Sequence, residues 1–172
     1  DSFILLGKNF IFNLDLTVAQ EKTVAYLLCD KNNLYLAFRC AESRMDNLVL
    51  SAVKKDDPVW KDDAVEVFLS PMRESTTYYH FIVNPDGVTY DEKIMDIHWD
   101  GEWQIKTSKN PFGWICEIVI PWRTVGVTFE DQKYVAMNLF RNEGRLGENS
   151  GWSPVQGSYH EVANFGILFF GC

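Results

Sequence analysis

Trp60 and Glu66 stand six positions apart in the stretch Pro58-Val59-Trp60-Lys61-Asp62-Asp63-Ala64-Val65-Glu66-Val67-Phe68, which sets an aromatic ring and three acids at the mouth of a β-strand pattern. Asn149-Ser150-Gly151-Trp152-Ser153-Pro154 repeats the theme, with a side-chain amide three residues ahead of a second tryptophan in a Gly/Ser/Pro loop. Two loop tryptophans with carboxylate and amide partners suggest a sugar site. A pyranose offers an apolar C–H face that an indole can cover and a rim of hydroxyls that carboxylates and amides can hydrogen-bond. The competing reading is that both rings are partly buried anchors, since tryptophan is highly buried on average.

Glu66 interrupts an otherwise apolar strand. Alternation puts Val65, Val67 and Leu69 on one face and Ala64, Glu66 and Phe68 on the other. A carboxylate there needs a partner, because an unpaired buried charge costs several kcal/mol or loses its charge. The candidates are an arginine such as Arg39 or Arg141, or a ligand. Glu117, inside Trp114-Ile115-Cys116-Glu117-Ile118-Val119-Ile120-Pro121-Trp122, follows the same grammar and is expected to be a buried hydrogen-bond hub ahead of the Pro-Trp corner.

Other catalytic chemistry finds little footing. Asp63 and Glu66, three apart on one strand, point to opposite faces and cannot both flank a glycosidic bond. There is no Gly-x-Ser-x-Gly, and His80, His98 and His160 lack metal-ligand spacing in sequence. Asp56, Asp57, Asp62, Asp63, Asp86, Asp91, Glu92, Asp96 and Asp100 could supply a hard cation with oxygen ligands, but they form no Asp-x-Asp-x-Asp-Gly loop and also read as a solvated acidic rim.

The elements that must position these residues are strands. Period-two alternation recurs over 23–29, 34–40, 64–69, 78–84, 114–120, 134–141 and 165–170, separated by the turn signals Asp30-Lys31-Asn32-Asn33, Asn84-Pro85-Asp86-Gly87 and Asn110-Pro111-Phe112-Gly113 and a Gly-rich stretch over 144–151. Only 121–125 reads as a short helix, and 46–53 is ambiguous. The pattern predicts an all-β chain, an antiparallel β-sandwich of immunoglobulin-like or jelly-roll type with at most short helices, forming a single domain over 1–172.

Composition agrees. With 47% hydrophobic and 15% aromatic residues the 172-residue chain can bury a core, and no run approaches the roughly 18 apolar residues of a membrane span. A formal charge of −8 with scattered Lys and Arg argues against nucleic acid as a partner. The opening Asp1-Ser2-Phe3-Ile4-Leu5-Leu6-Gly7 lacks a basic start and a small-residue cleavage pattern, so no signal peptide is read there. The four cysteines show no Cys-x-x-Cys spacing. Cys29 and Cys40 fall at opposite ends of a hairpin, roughly 20 Å apart at strand rise, and should not be bridged. Cys40 and Cys116 read as buried thiols.

In order along the chain, Leu34-Tyr35, Asp57-Pro-Val-Trp60-x-Asp-Asp-x-Val-Glu66-Val-Phe68, Asn84-Pro-x-Gly87, Gly113-Trp-x-x-Glu117-Ile-x-Ile-Pro-Trp122, Asn138-x-x-Arg141, Trp152-Ser-Pro154 and Phe165-Gly-x-Leu168 resemble the carbohydrate-binding module family 9-like group over nearly the whole sequence. The resemblance implies a β-sandwich that binds sugar or oligosaccharide without catalysis, found extracellularly or in the periplasm, often attached to or encoded beside a polysaccharide-degrading enzyme. It implies a clamp of Trp60 and Trp152 on a terminal sugar, with Glu66 and Asn149 holding hydroxyls. The family's arginine and glutamine positions fall near Ile82 and Phe140, so His80 and Arg141 are the candidate replacement donors. No cofactor is required for chemistry, and structural calcium is similar to the family without an assignable ligand set. Two alternatives remain open. One is haem binding as in related sandwich domains, with Met45, Met95, Met137, His80 and His160 as candidate ligands. The other is an interaction domain that kept the sandwich and lost the ligand.

Overall fold

The computed structural model describes the backbone of residues 8–13 and residues 17–73, 75–155 and 158–170 in full. Its described residues form eleven strands: β1 (Lys8–Asn13), β2 (Val18–Cys29), β3 (Asn33–Ala41), β4 (Ala64–Ser70), β5 (Tyr79–Val83), β6 (Thr89–Lys93), β7 (Gln104–Asn110), β8 (Gly113–Pro121), β9 (Tyr134–Glu143), β10 (Glu148–Gly151) and β11 (Gly166–Phe169). Helical structure among them is limited to single 3-10 turns, including Val59–Lys61 and Trp122–Val125. No described helix is long and apolar enough to cross a membrane.

All ladders are antiparallel, in the hydrogen-bonded order β6-β5-β4-β9-β10-β1-β2-β3-β8-β7, with β11 pairing the first half of β9. The ribbon folds on itself as a β-sandwich. One layer is centred on β3 and the other on β4 and β9, and alternate residues of both interdigitate. Ala25, Leu27, Leu36, Phe38, Trp114, Cys116 and Ile118 from the first layer meet Val65, Val67, Leu69, Phe81, Met137 and Leu139 from the second in one core.

The second layer is covered on both sides. Beyond the core, Phe68, Phe140, Val155 and Phe165 cluster on its outer face, and Val59, Ala64, Ile82 and Tyr90 form a second outer cluster. β4, β5 and β9 are therefore buried almost throughout, so their sequences alternate two apolar sets in place of an apolar and a polar one.

The expectations for the cysteines hold, and the one for Glu117 does not. Cys29 and Cys40 do lie at opposite ends of the β2–β3 ladder, paired with Leu34 and Thr23. Cys40 and Cys116 are buried thiols, the former pushed up to about 11 by burial; Cys172 lies outside the described residues. Glu117 is a correction. It is exposed on the outer face of β8, opposite Lys106 of the edge strand β7, because alternation from Trp114 and Cys116 turns it outward. The corner it was expected to hold is tied down by Trp122, whose backbone N–H donates to the Asn32 carbonyl at 2.9 Å and whose indole N–H donates to the Asp30 carbonyl at 2.9 Å.

The approach to β4 is fixed by Asp62, fully buried. One carboxylate oxygen accepts from the Ser51 N–H at 2.8 Å and hydroxyl at 2.6 Å; the other accepts from the Ala52 N–H at 3.1 Å and the Asn84 side-chain amide at 2.9 Å. Burial works against its charge, but these bonds outweigh it and hold the carboxyl below its ordinary range. A depressed carboxyl stabilises the fold above the unfolded-state value and loses that contribution as pH falls through the folded one. We predict that Asp62→Asn lowers unfolding free energy at pH 7 by about 2–3 kcal/mol, and that the gap from wild type narrows below about pH 4. Urea unfolding at both pH values measures it, and a constant gap would contradict the assignment.

Candidate functional site

Strand register gathers the polar residues of the second layer on its outer face. Glu66 lies opposite Ile82 on one side and Phe140 on the other; Phe68 pairs with His80, His80 with Glu92, Ile82 with Tyr90, Ala64 with Asn142, and Asn142 with Asn149. Because side chains of directly paired residues share a face, Glu66, His80, Tyr90, Glu92, Asn142 and Asn149 come from five neighbouring strands onto one surface. They line a cleft of about 580 Å³ together with Trp60, Met95, Ile97, Tyr159 and His160. That lies within the ~300–1,000 Å³ usual for small-molecule sites.

The floor is a connected polar network. Buried Glu66 uses one oxygen to accept from the Asn142 amide at 2.5 Å and places the other 2.7 Å from His80 Nε2. His80 Nδ1 faces Glu92 Oε1 at 3.4 Å, and the other Glu92 oxygen accepts from the Tyr90 hydroxyl at 2.7 Å. Phe68 stacks under the His80 ring with centroids 3.8 Å apart. Burial opposes a charge on His80, but the two carboxylates outweigh it and hold its pKa above the ordinary imidazole value. Burial likewise opposes the Glu92 anion, and its His80 and Tyr90 contacts reverse that, lowering its pKa. His160, packed nearby, is held below the ordinary value by burial and by His80.

Aromatic walls rise from this floor. Trp60 sits in the 3-10 turn that Val59 anchors in the outer cluster, 45% exposed, its ring edge-on to Tyr90 at 5.0 Å. The Asp62 anchors hold the chain immediately after it. Tyr159 lies flat on Phe140, centroids 4.0 Å and planes 6° apart, and presents its partly exposed ring to the cleft.

Of the residues read from the sequence, Trp60, Glu66, His80 and Asn149 are brought together. Arg141 and Trp152 are not among the lining. Arg141 pairs with Val65 on the core face, donates to Asp63 Oδ1 at 3.0 Å and lies over the Trp114 ring at 5.0 Å. Trp152 packs against the core, its ring so close to Gly166 that an added Cβ would fall 2.6 Å from it. An odd offset from Asn149 explains this, since a position three residues along extended chain faces the other way. Asn142, Tyr90 and Tyr159 were missed. Period-two spacing from Phe140 and register with Ala64 would have indicated Asn142, whereas Tyr159 sits on a loop with no periodic signal. Of the haem candidates, His80, His160 and Met95 line the cleft, while Met137 is core.

A second cluster lies on the other side of the sheet. Carboxylate oxygens of Glu42, Asp63 and Glu143, all buried, come within 4.8 Å of one another. Arg145 reaches Glu42 at 3.0 Å and Glu143 at 3.4 Å, yet Glu42 Oε2 and Glu143 Oε1 have no hydrogen-bond partner. Burial, reinforced by Glu42 and Asp63, pushes the Glu143 carboxyl up to about 7. An all-carboxylate donor set with unused oxygens fits a hard, oxygen-preferring cation such as calcium.

The family described as carbohydrate family 9 binding domain-like matches residues 13–169. No curated protein is significantly similar in sequence. Among solved structures, a Bacteroides uniformis protein assigned to carbohydrate binding superposes with a TM-score of 0.75 at 19% identity, covering 97% of this chain and 87% of that one. A family 9 carbohydrate binding module from Caldicellulosiruptor kristjanssonii in complex with cellotriose gives 0.73 at 16% identity, covering 96% and 82%. A Caldicellulosiruptor kristjanssonii family 9 module in complex with glucose gives 0.71 at 15% identity, covering 96% and 83%. At these identities the superpositions establish the shared fold.

The placement of Trp152 yields a prediction. Trp152→Ala should lower stability by about 2–4 kcal/mol, as loss of a packed aromatic does, while a Tyr159→Ala change on the half-open wall should cost about 2 kcal/mol less. Thermal and urea unfolding of both variants tests this, and a fully stable Trp152→Ala protein would contradict it.

Proposed function

Because the chain belongs to the carbohydrate family 9 binding domain-like family, we propose that it is a non-catalytic binding module whose outer-face cleft takes a neutral sugar or the end of an oligosaccharide. The observation that carries this reading is a half-exposed tryptophan at the rim of a cleft floored by buried, mutually bonded acids and amides. In it, Trp60 covers the apolar face of the pyranose and Tyr159 forms the opposing aromatic wall, the place that the sequence reading gave to Trp152. Asn149 at the mouth and the unpartnered Asn142 Oδ1 on the floor hold hydroxyls, while Glu66 and His80 keep the floor polar and rigid. Both Glu66 oxygens are engaged by neighbours, which suits a positioning group and not a free nucleophile or acid. The setting that suits such a module is outside the cytoplasm, beside a polysaccharide-degrading enzyme.

Calcium belongs to the proposal as a structural ion. Glu42, Asp63 and Glu143 would hold it, and its charge would add to those of Arg141 and Arg145 in offsetting the mutual repulsion of three buried carboxylates. The ion would brace the loop before β4 from the side opposite the cleft.

The haem alternative rests on His80, His160 and Met95 sharing the cleft. It is disfavoured because His80 lies almost wholly buried in the floor with Phe68 stacked on its ring, which leaves no room for a haem plane against it. A Soret band in the purified protein would restore it.

Two outcomes are expected. Glucose and cellotriose should give a saturable change in tryptophan fluorescence with a dissociation constant between about 1 μM and 1 mM, weakened at least tenfold, or about 1.4 kcal/mol, by Trp60→Ala. Binding to every sugar tested that is unchanged in Trp60→Ala would refute the cleft. Calcium at millimolar concentration should raise the melting temperature of the wild type by several degrees, as a ligand bound only to the native state does, and leave Glu143→Gln unmoved. An equal shift in both would remove the carboxylate cluster as the calcium site.

A further inference from the structure

Within the cleft, three side chains able to ligate a metal converge on one point, joined only by the long His80–Glu92 hydrogen bond. Glu92 Oε1 lies 3.4 Å from His80 Nδ1 and 3.7 Å from His160 Nδ1, and one ligand atom from each of the three residues falls within 4.8 Å of the others. His160 Nδ1 is buried and has no hydrogen-bond partner. His80 and Glu92 are themselves almost wholly buried, so this is an interior cluster and not a chance meeting of surface side chains.

The spacing is that of a metal's ligand set. A tetrahedral zinc ion with ligands at about 2.0–2.1 Å requires them to be about 3.4 Å apart. The separations from Glu92 need little adjustment. Two imidazoles and one carboxylate suit zinc, cobalt, nickel or copper(II) and not calcium or magnesium, which take oxygen donors. Orientation is prepared as well. Glu66 Oε2, 2.7 Å from His80 Nε2, holds that nitrogen by a hydrogen bond and leaves Nδ1 turned toward Glu92, where a metal would displace its proton, the carboxylate–histidine arrangement that orients the ring at metal sites. The Tyr90 hydroxyl holds the second oxygen of Glu92 in the same way.

We propose that His80, Glu92 and His160 form a binding site for one divalent transition-metal ion of the zinc class. All three line the cleft, so the fourth coordination position opens toward it, where a water or a hydroxyl of a bound sugar can ligate. The site rests on these contacts alone and stands whether or not the cleft binds sugar.

The test is titration of the tag-free protein with cobalt(II), read by visible absorption, then displacement by zinc followed calorimetrically, all with calcium in excess to saturate carboxylate sites. One equivalent is expected, with the intense bands of tetrahedral cobalt. His160→Ala, altering a partly exposed side chain, and Glu92→Gln should each weaken zinc binding by more than about 10–100-fold, the range for loss of an outer-shell partner. Glu66→Gln should fall within that range. His98→Ala, removing the exposed histidine outside the cleft, should bind as wild type. Circular dichroism establishes that each variant is folded. Failure of the folded wild type to take up one equivalent, uptake unaltered in both His160→Ala and Glu92→Gln, or loss in His98→Ala would overturn the site.

Discussion

A carboxylate in the middle of a doubly covered sheet is the constraint around which this structure is arranged. Glu66 sits on β4 with apolar clusters on either side of it and almost no contact with water. An unpaired charge there would cost several kcal/mol, so neighbouring strands must supply partners. β9 supplies Asn142 and β5 supplies His80; His80 in turn requires Glu92 on β6, and Glu92 takes the Tyr90 hydroxyl. Each polar group is tolerable only because the next one is present.

This chain of dependence also specifies register. A one-residue slip of β5 would send His80 into the main core and bring Tyr79 and Phe81 onto the outer face, leaving Glu66 with the Asn142 amide alone. The adjacent acids at the entry to β4 act on opposite sides of the same layer: Asp62 gathers the preceding loop, and Asp63 pairs with Arg141 on the core side. With Val59 buried between them and the outer cluster, the turn that carries Trp60 has little freedom. The ring is thus held at the rim without being buried itself, which is the condition an aromatic platform needs in order to stay available to a ligand.

Much of this was legible in the residues. Period-two alternation located the central strands, and the misfit of Glu66 within one of them pointed to the polar floor before any partner was known. Trp60 and Asn149, singled out by spacing, both line the cleft. Arg141 and Trp152 misled because both have side chains that suit a sugar site, while the parity of their strands turns them inward. Glu117 misled in the opposite direction, since an acid between two isoleucine-rich flanks reads as buried unless the exposed edge strand β7 is known to lie beside it. Strands β6, β7 and β10 carry weak alternation because they are short, polar or at edges. The meeting of His80, Glu92 and His160 depends on a loop returning from far along the chain, a non-local event that no sequence period records.

The Glu66-centred face of the second layer is the surface proposed to meet a sugar. The most direct test is a nuclear magnetic resonance titration with glucose and cellotriose, following the tryptophan indole and asparagine side-chain amide signals. Trp60, Asn142 and Asn149 are expected to shift together and saturate at one concentration, while Trp152 and Trp114 stay in place. Saturable shifts centred on Trp152, with Trp60 and Asn142 unmoved, would contradict it.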